Sequence, residues 1–337
     1  MSEREIAAVI LAAGHGTRMK SKKTKVLHEI GAKPMLAHVM ETAGKLSPSR
    51  LAVVIGDHAP EVGEAATALR ADAAIAVQAP PRGTGDAVGK ALPALEGFDG
   101  IVLILYADTP LVRDETLRAL VEAAEGAAGA VLGFRADAPG AYGRLVLDDG
   151  DDLAAIVEAK DASPEELEID LCNSGVMAVD AAFLREALPK LTPNNAKGEY
   201  YLTDIVGMAR EAGKRFAVVE GDEEEVLGVN SRVELAVAEE IFQDRRRVAA
   251  MQNGATLIDP TTVFFAHDTE IGADVLIEPN VFFGPGARIA DGATIKAFSH
   301  IEGARVGPGA VVGPFARLRP GSDLGPKSRV GNFVEMK

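Results

Sequence analysis

"IAAVILAAGHGTRMKSKKTK", residues 6–25, decides how the first half of this chain folds. Ile6 to Ala13 is an unbroken apolar run that enters a turn built on Gly14-His15-Gly16. A strand without polar alternation belongs in a mostly parallel sheet covered on both faces, where ligands sit beyond the carboxyl ends of the strands. Behind the turn, Arg18, Lys20, Lys22, Lys23 and Lys25 fall within eight positions, and no acidic residue lies between Glu5 and Glu29. A basic loop is ordinarily just solvated; one placed directly after a glycine turn points to phosphate.

The turn is not of the dinucleotide kind. G-x-G-x-x-G requires a third glycine where this chain has Met19, and an acidic residue about 20 positions on, where lysines dominate instead. Nor does it contain G-x-x-x-x-G-K-[ST]. What remains is a turn whose backbone N–H groups face phosphate oxygens, with Arg18 and Lys25 reaching the same charge from the rim.

The surrounding chain repeats the strand pattern. "LAVVIG" (51–56), "AAIAVQ" (73–78) and "IVLILY" (101–106) read as further buried strands, and Met35 to Leu46 and Gly85 to Leu95 carry apolar residues at helical spacing. Ser231 and Glu234 fit a capping box ahead of apolar positions 233, 237 and 241, and Asn253-Gly254 can stop that helix. The acidic run Asp222 to Glu225 before it reads as a solvated loop. From Ile271 an aliphatic or aromatic residue recurs every six positions, with one five-residue step between Ile301 and Val306. That period marks a parallel β-helix. The expected fold is therefore α/β, a Rossmann-like domain with a mostly parallel sheet (1–229), then a linker helix (230–253) and a left-handed parallel β-helix of hexapeptide repeats (254–337). The repeat is still in register at "GNFVEMK", so we expect either a second chain on its open end or a truncation within the repeat.

Composition narrows the function. At 337 residues, 47% hydrophobic, the chain has material for two cores. One cysteine, Cys172, excludes a disulfide framework, and no Cys/His spacing suits zinc. The formal charge of −15, from 35 Lys+Arg against 50 Asp+Glu, opposes nucleic-acid or acidic-membrane partners. Glu3 and Glu5 precede the first apolar run, and nothing near 18 apolar residues follows, so neither export nor membrane spanning is expected. The expected location is cytoplasmic.

"LAAGHGTRMKSKKTKVLHEIGAKPM" resembles the L-x-x-G-x-G-T-R-M…P/T-K-x-L signature of sugar-1-phosphate nucleotidylyltransferases. With "QAPPRGTGDA", "YADTPL", "YGRL", "IVEAKDA", "CNSGV", "NNAKGEYYLTDI", "GVNSR" and "GPFARLRPG…VGNFVEMK" in order, the chain resembles the bacterial bifunctional N-acetylglucosamine-1-phosphate uridylyltransferase / glucosamine-1-phosphate N-acetyltransferase family nearly end to end.

The resemblance implies a reaction in which N-acetylglucosamine-1-phosphate attacks the α-phosphorus of UTP, giving UDP-N-acetylglucosamine and pyrophosphate for cell-envelope synthesis. It implies Arg18 and Lys25 as charge-neutralising catalytic residues, and Mg2+ on Asp108 and Asn230. Leu11, Ala13, Gly14, Lys25, Gln78, Gly83 and Thr84 would hold the nucleotide. Thr84, Tyr106, Gly143, Glu158 and Asn173 would hold the sugar phosphate. None of the six histidines is given a catalytic role. Two departures stand out: Y-G-D is here Tyr106-Ala107-Asp108, placing a methyl where ribose comes close, and N-T-G is Asn173-Ser174-Gly175. Arg319 and Lys337 match sugar-phosphate contacts of the acetyltransferase site, which in the family is shared between subunits of a homotrimer and uses acetyl-CoA. Its catalytic histidine would lie beyond residue 337, so no acetyl transfer is expected of this chain. Two other readings stay open: a nucleotidylyltransferase for another hexose phosphate, and a non-catalytic regulatory subunit of the same architecture.

Overall fold

The computed structural model describes residues 4–148, 150 and 152–337; Glu3, like the other positions outside that range, lies outside the described residues. The chain divides into two compact units, one running through His28 and again over Pro34–Glu234, the other comprising Glu29–Lys33 and Leu235–Lys337.

The first unit is built on strands β1 (Ile6–Ala12), β4 (Arg50–Gly56), β5 (Ala74–Gln78), β6 (Ile101–Tyr106), β7 (Gly129–Arg135), β8 (Arg144–Leu147), β9 (Leu153–Val157), β10 (Leu171–Asp180) and β11 (Phe216–Glu220). The short strands β2 (Glu29–Ile30) and β3 (Lys33–Pro34) form a separate hairpin. The main sheet has the order β11-β7-β10-β6-β1-β4-β5, with β8 and β9 attached beside β10. It is mostly parallel, as the unbroken apolar runs predict; β10 runs against both of its neighbours. Alternate residues of β1 serve opposite faces: Ala8, Ile10 and Ala12 pack in one core, Ala7, Val9 and Leu11 in the other. Helices α1 (Met35–Gly44), α2 (Pro60–Leu69) and α4 (Asp114–Ala124) bury their apolar stripes in the first core. Helices α3 (Thr84–Ala91), α6 (Ala181–Ala187) and α7 (Asp204–Glu211) do so in the second. The third of the strands read from sequence differs from its reading: β5 is a sheet edge, with Ile75 and Val77 38% and 49% exposed. The helical pattern ascribed to Gly85–Leu95 breaks into α3 and a 3-10 turn, Leu92–Leu95, because Pro93 cannot continue an α-helix.

The acidic run before the linker helix is solvated at Asp222, Glu223 and Glu224, as read, but not at Glu225. It folds into a 3-10 turn, Glu223–Glu225, and Glu225 is buried. Its carboxylate accepts hydrogen bonds from the Arg113 backbone N–H at 3.2 Å and the Thr116 hydroxyl at 2.7 Å, satisfying the first turn of α4.

Two further helices complete the set, the short α5 (Pro164–Leu167) and the long α8 (Arg232–Gln252). The Ser231 hydroxyl caps the Glu234 N–H at 3.3 Å, but the Glu234 carboxylate returns to the N–H of Asn230, at 2.7 Å, one residue earlier than a capping box prescribes. In the second unit, short parallel strands from Thr256–Leu257 to Glu335–Met336 stack into three faces. After a first coil of 20 residues, from Thr256 to Leu276, successive coils are 18 residues apart, as in Leu276 beside Thr294, or 17 across the five-residue step, as in Thr294 beside Val311. Ile277, Phe283, Ile289, Ile295, Ile301, Val306, Val312 and Leu318 form its buried core. The architecture is consistent with a left-handed β-helix.

Candidate active site

Two strand ends carry the chemistry. Where β1 ends, Gly16 has φ of 60°, and a Cβ there would lie 2.6 Å from the Cβ of Lys25. Glycine is thus required twice over, for the left-handed turn and for the approach of Lys25. Where the neighbouring strand β6 ends, the Ala107 N–H donates to the Leu11 carbonyl at 3.0 Å, which holds Asp108 beside the glycine turn. The Asp108 carbonyl accepts from the Val229 N–H at 2.8 Å, which brings Asn230 alongside. The three side chains converge: the Lys25 ammonium is ion-paired with the Asp108 carboxylate and donates to Asn230 Oδ1 at 3.1 Å. The strand order reverses between β1 and β6, the place where open α/β sheets bind their ligands.

A cavity of about 550 Å³ opens over these strand ends. On one wall, Gly83 has φ of 106° and a Cβ there would stand 2.6 Å from the Tyr200 carbonyl oxygen. The buried Gln78 side chain donates to the Gly83 carbonyl at 3.0 Å and to Asp86 at 2.8 Å, so its nitrogen is committed within the protein. Thr84, at the start of α3, accepts from the Leu202 N–H at 3.1 Å. Burial, reinforced by Asp108 and Glu158, drives the Tyr106 hydroxyl strongly upward, so it stays a neutral phenol.

Strands β8, β9 and β10 carry or flank Gly143, Glu158 and Asn173, of which Glu158 lines the cavity. A bulge in β10 between Asn173 and Met177 is fixed by Ser174, whose hydroxyl donates to the Leu132 carbonyl at 2.6 Å and accepts from the Val176 N–H at 3.1 Å. Gly175 has φ of 89°, and the Tyr106 ring lies 2.8 Å from where its Cβ would be. The Asn173 N–H donates to the Gly143 carbonyl at 2.8 Å, and buried Arg144 ties down the loop around Gly143. Glu158 sits one residue past β9 on the cavity wall. Burial raises its carboxyl, with Asp161, Asp204 and Glu199 adding to the effect and Lys197 opposing it.

Of the residues singled out in the sequence, Leu11, Ala13, Gly14, Lys25, Gln78, Gly83, Thr84, Tyr106, Asp108 and Glu158 line this cavity. Arg18 is exposed on the Thr17–Met19 turn and, like Gly143, Asn173 and Asn230, is not part of the lining. Arg319 and Lys337 belong to the second unit, where Arg319 faces Glu335 at 3.5 Å. The Ala107 methyl does not approach the cavity; it is buried in the core beneath α1 and α4. Sequence reading missed Lys197, Glu199 and Tyr201, which also line the cavity. They come from an irregular segment with no periodicity to mark which side chains turn inward.

Asp108 and Asn230 supply hard oxygen donors aimed at one point, which suits a divalent cation that keeps waters and takes further oxygens from a phosphate. Among the described residues no group of three or more His, Cys, Asp or Glu is arranged to hold a metal ion. Nor is any helix long and apolar enough to cross a membrane among those residues.

Fold and site together define a nucleotidyltransferase domain joined to a hexapeptide-repeat β-helix. Residues 8–165 match the MobA-like NTP transferase domain, and residues 268–303 match the bacterial transferase hexapeptide, six repeats. The chain is 53% identical over 335 residues to the bifunctional protein GlmU of Sphingopyxis alaskensis, covering 98% of this chain and 73% of that protein. It is 53% identical over 338 residues to the bifunctional protein GlmU of Azorhizobium caulinodans, covering 100% of this chain and 75% of that protein. The chain belongs to the bifunctional GlmU family. Its nucleotidyltransferase domain implies a divalent cation.

Proposed function

We propose that residues 1–229 form the catalytic domain of a UDP-N-acetylglucosamine diphosphorylase, with 230–253 as linker helix and 254–337 as the β-helix. The enzyme transfers uridylyl from UTP to N-acetylglucosamine-1-phosphate and releases pyrophosphate in the cytoplasm. The observation that carries this reading is the convergence of Lys25, Asp108 and Asn230 beside a glycine turn, at the end of a cavity walled by Gln78 and Glu158.

Two polyanions must meet in this reaction, so catalysis rests on positioning and charge neutralisation. Leu11, Ala13, Gly14, Gln78, Gly83 and Thr84 hold the nucleoside. With its nitrogen engaged by Gly83 and Asp86, Gln78 presents Oε1 to the uracil N3–H, which cytosine lacks. Glu158, Asn173, Gly143, Thr84 and Tyr106 take the sugar, the carboxylate and amide matching hydroxyls and acetamide. Lys25 neutralises charge at the α-phosphate, and Arg18, from the exposed rim, serves the outer phosphates. Asp108 and Asn230 would hold Mg2+, which would supply Lewis-acid neutralisation of the phosphate oxygens. In the β-helix, Arg319 and Lys337 are remnants of a glucosamine-1-phosphate site that the family uses with acetyl-CoA, and hexapeptide faces of this kind suit a homotrimer.

Pyrophosphate release tests the reading. Turnover is expected with UTP, N-acetylglucosamine-1-phosphate and Mg2+, and a preference for glucose-1-phosphate or another nucleotide would overturn the substrate assignment. Undiminished transfer by Asp108→Ala would overturn the metal site.

A further inference from the structure

His15 is the one bulky side chain on the glycine turn, between Gly14 and Gly16, and it lines the cavity. Its ring stacks on that of His58, with centroids 4.0 Å apart and planes 22° from parallel. The fold makes room for this contact. A Cβ on Gly56, at the end of β4, would lie 2.3 Å from His58 Cε1, 2.5 Å from its Nδ1 and 3.1 Å from the Ala13 carbonyl oxygen. A side chain at position 56 would therefore evict the His58 ring from beside the turn.

The pair also lies on a definite side of the site. Gln78 and Thr84 precede and begin α3, on one face of the sheet, whereas His58 precedes α2, on the other. The basic segment is tied to that same side, because the Thr24 hydroxyl donates to the carboxylate of Glu61 in the first turn of α2. With the base held on the α3 side and the reacting phosphate near Lys25, the rest of a triphosphate crosses the turn toward α2.

We propose that His15, held in place by His58, donates an imidazole N–H to the two terminal phosphates of the nucleotide, the part that leaves as pyrophosphate. His15 is the contact and His58 the positioning residue. The inference rests on the uridylyl-transfer reading and adds a subsite to it. It distinguishes ligands by structure: UTP and pyrophosphate carry the phosphates concerned, and UDP-N-acetylglucosamine does not.

Pyrophosphorolysis of UDP-N-acetylglucosamine therefore tests it within one assay. In His15→Ala the KM for pyrophosphate is expected to rise about ten-fold, the loss of one charge-assisted hydrogen bond, with the KM for UDP-N-acetylglucosamine unchanged. His58→Ala should show the same selective loss, smaller in size. His58→Phe, which keeps the stacked ring, and His15→Lys, which keeps a donor, should each restore pyrophosphate affinity. A pyrophosphate KM within two-fold of the parent in His15→Ala, or an equal rise in both KM values, overturns the proposal. Should the parent protein itself fail to turn over, the functional reading falls, and calorimetric titration of parent and His15→Ala with pyrophosphate still decides the subsite: equal affinities overturn it, and a selective loss supports it.

Discussion

Lys25 holds a position that a divalent cation needs. Its ammonium pairs with the Asp108 carboxylate and donates to the Asn230 amide oxygen, the two oxygen donors proposed for metal, so the protein's own cation occupies both. Lys25→Ala should then tighten Mn2+ binding to the nucleotide-free protein while lowering turnover about a hundred-fold, since charge neutralisation at phosphorus is lost. Calorimetry with Mn2+ reads the first effect and pyrophosphate release the second; unchanged Mn2+ affinity would show that the ammonium does not compete.

Glu158 carries a different tension. Burial raises its carboxyl above the ordinary value, so the folded protein binds this proton more readily than the unfolded chain does. The sign follows from linkage: as pH rises through the interval between the ordinary and the raised value, this group's contribution to stability falls. Glu158→Gln should therefore melt above the parent at pH 7, with the difference vanishing as pH drops below the ordinary carboxylate range. The same variant should raise the KM for the sugar phosphate about ten-fold, because an amide replaces the acceptor offered to sugar hydroxyls. Scanning calorimetry at several pH values and initial rates check the two halves. Neither the pairing of Lys25 nor the burial of Glu158 could be read from sequence, where Glu158 is equally well the exposed member of an alternating strand.

At the scale of elements, the readings that held are those with a long, regular signal. β1 and β6 are apolar throughout, and β4 is so after Arg50, because both their faces are covered. β5 has the same composition yet lies at an edge, since composition does not say which strand is last in a sheet. Glu225 was misread for a related reason: a run of four acids looks solvated, and its fourth member is buried because α4, over a hundred residues earlier in the chain, presents two donors to it. Helix α8 shows how an element is fastened by polar groups. Gln243 is buried and pairs like a strand neighbour with Phe265, donating to its carbonyl at 2.7 Å and accepting from its N–H at 2.8 Å. Gln243→Ala strands both backbone groups and should cost about 2–4 kcal/mol in denaturant unfolding. A loss below about 0.5 kcal/mol would mean that water replaces the amide.

At the scale of the molecule, two units with separate cores imply two responses to ligand. UDP-N-acetylglucosamine with Mg2+ should shift only the unfolding of the first unit, by about 2.7 kcal/mol at a hundred times its dissociation constant. Differential scanning calorimetry checks this; an equal shift of every transition would show that the units unfold as one.

What the sequence determined by itself was the pair of architectures and the chemistry of the first turn. Strand runs, the six-residue period and a glycine turn followed by lysines are local patterns, and backbone geometry reads them without reference to distant chain. The tertiary structure decided which residues meet. Lys25 reaches Asp108 across 83 positions and Asn230 across 205, and His15 finds His58 through the cleared space at Gly56. Such convergence is set by strand order and by the close approach of backbones at strand ends, and neither is written in any one stretch of the chain.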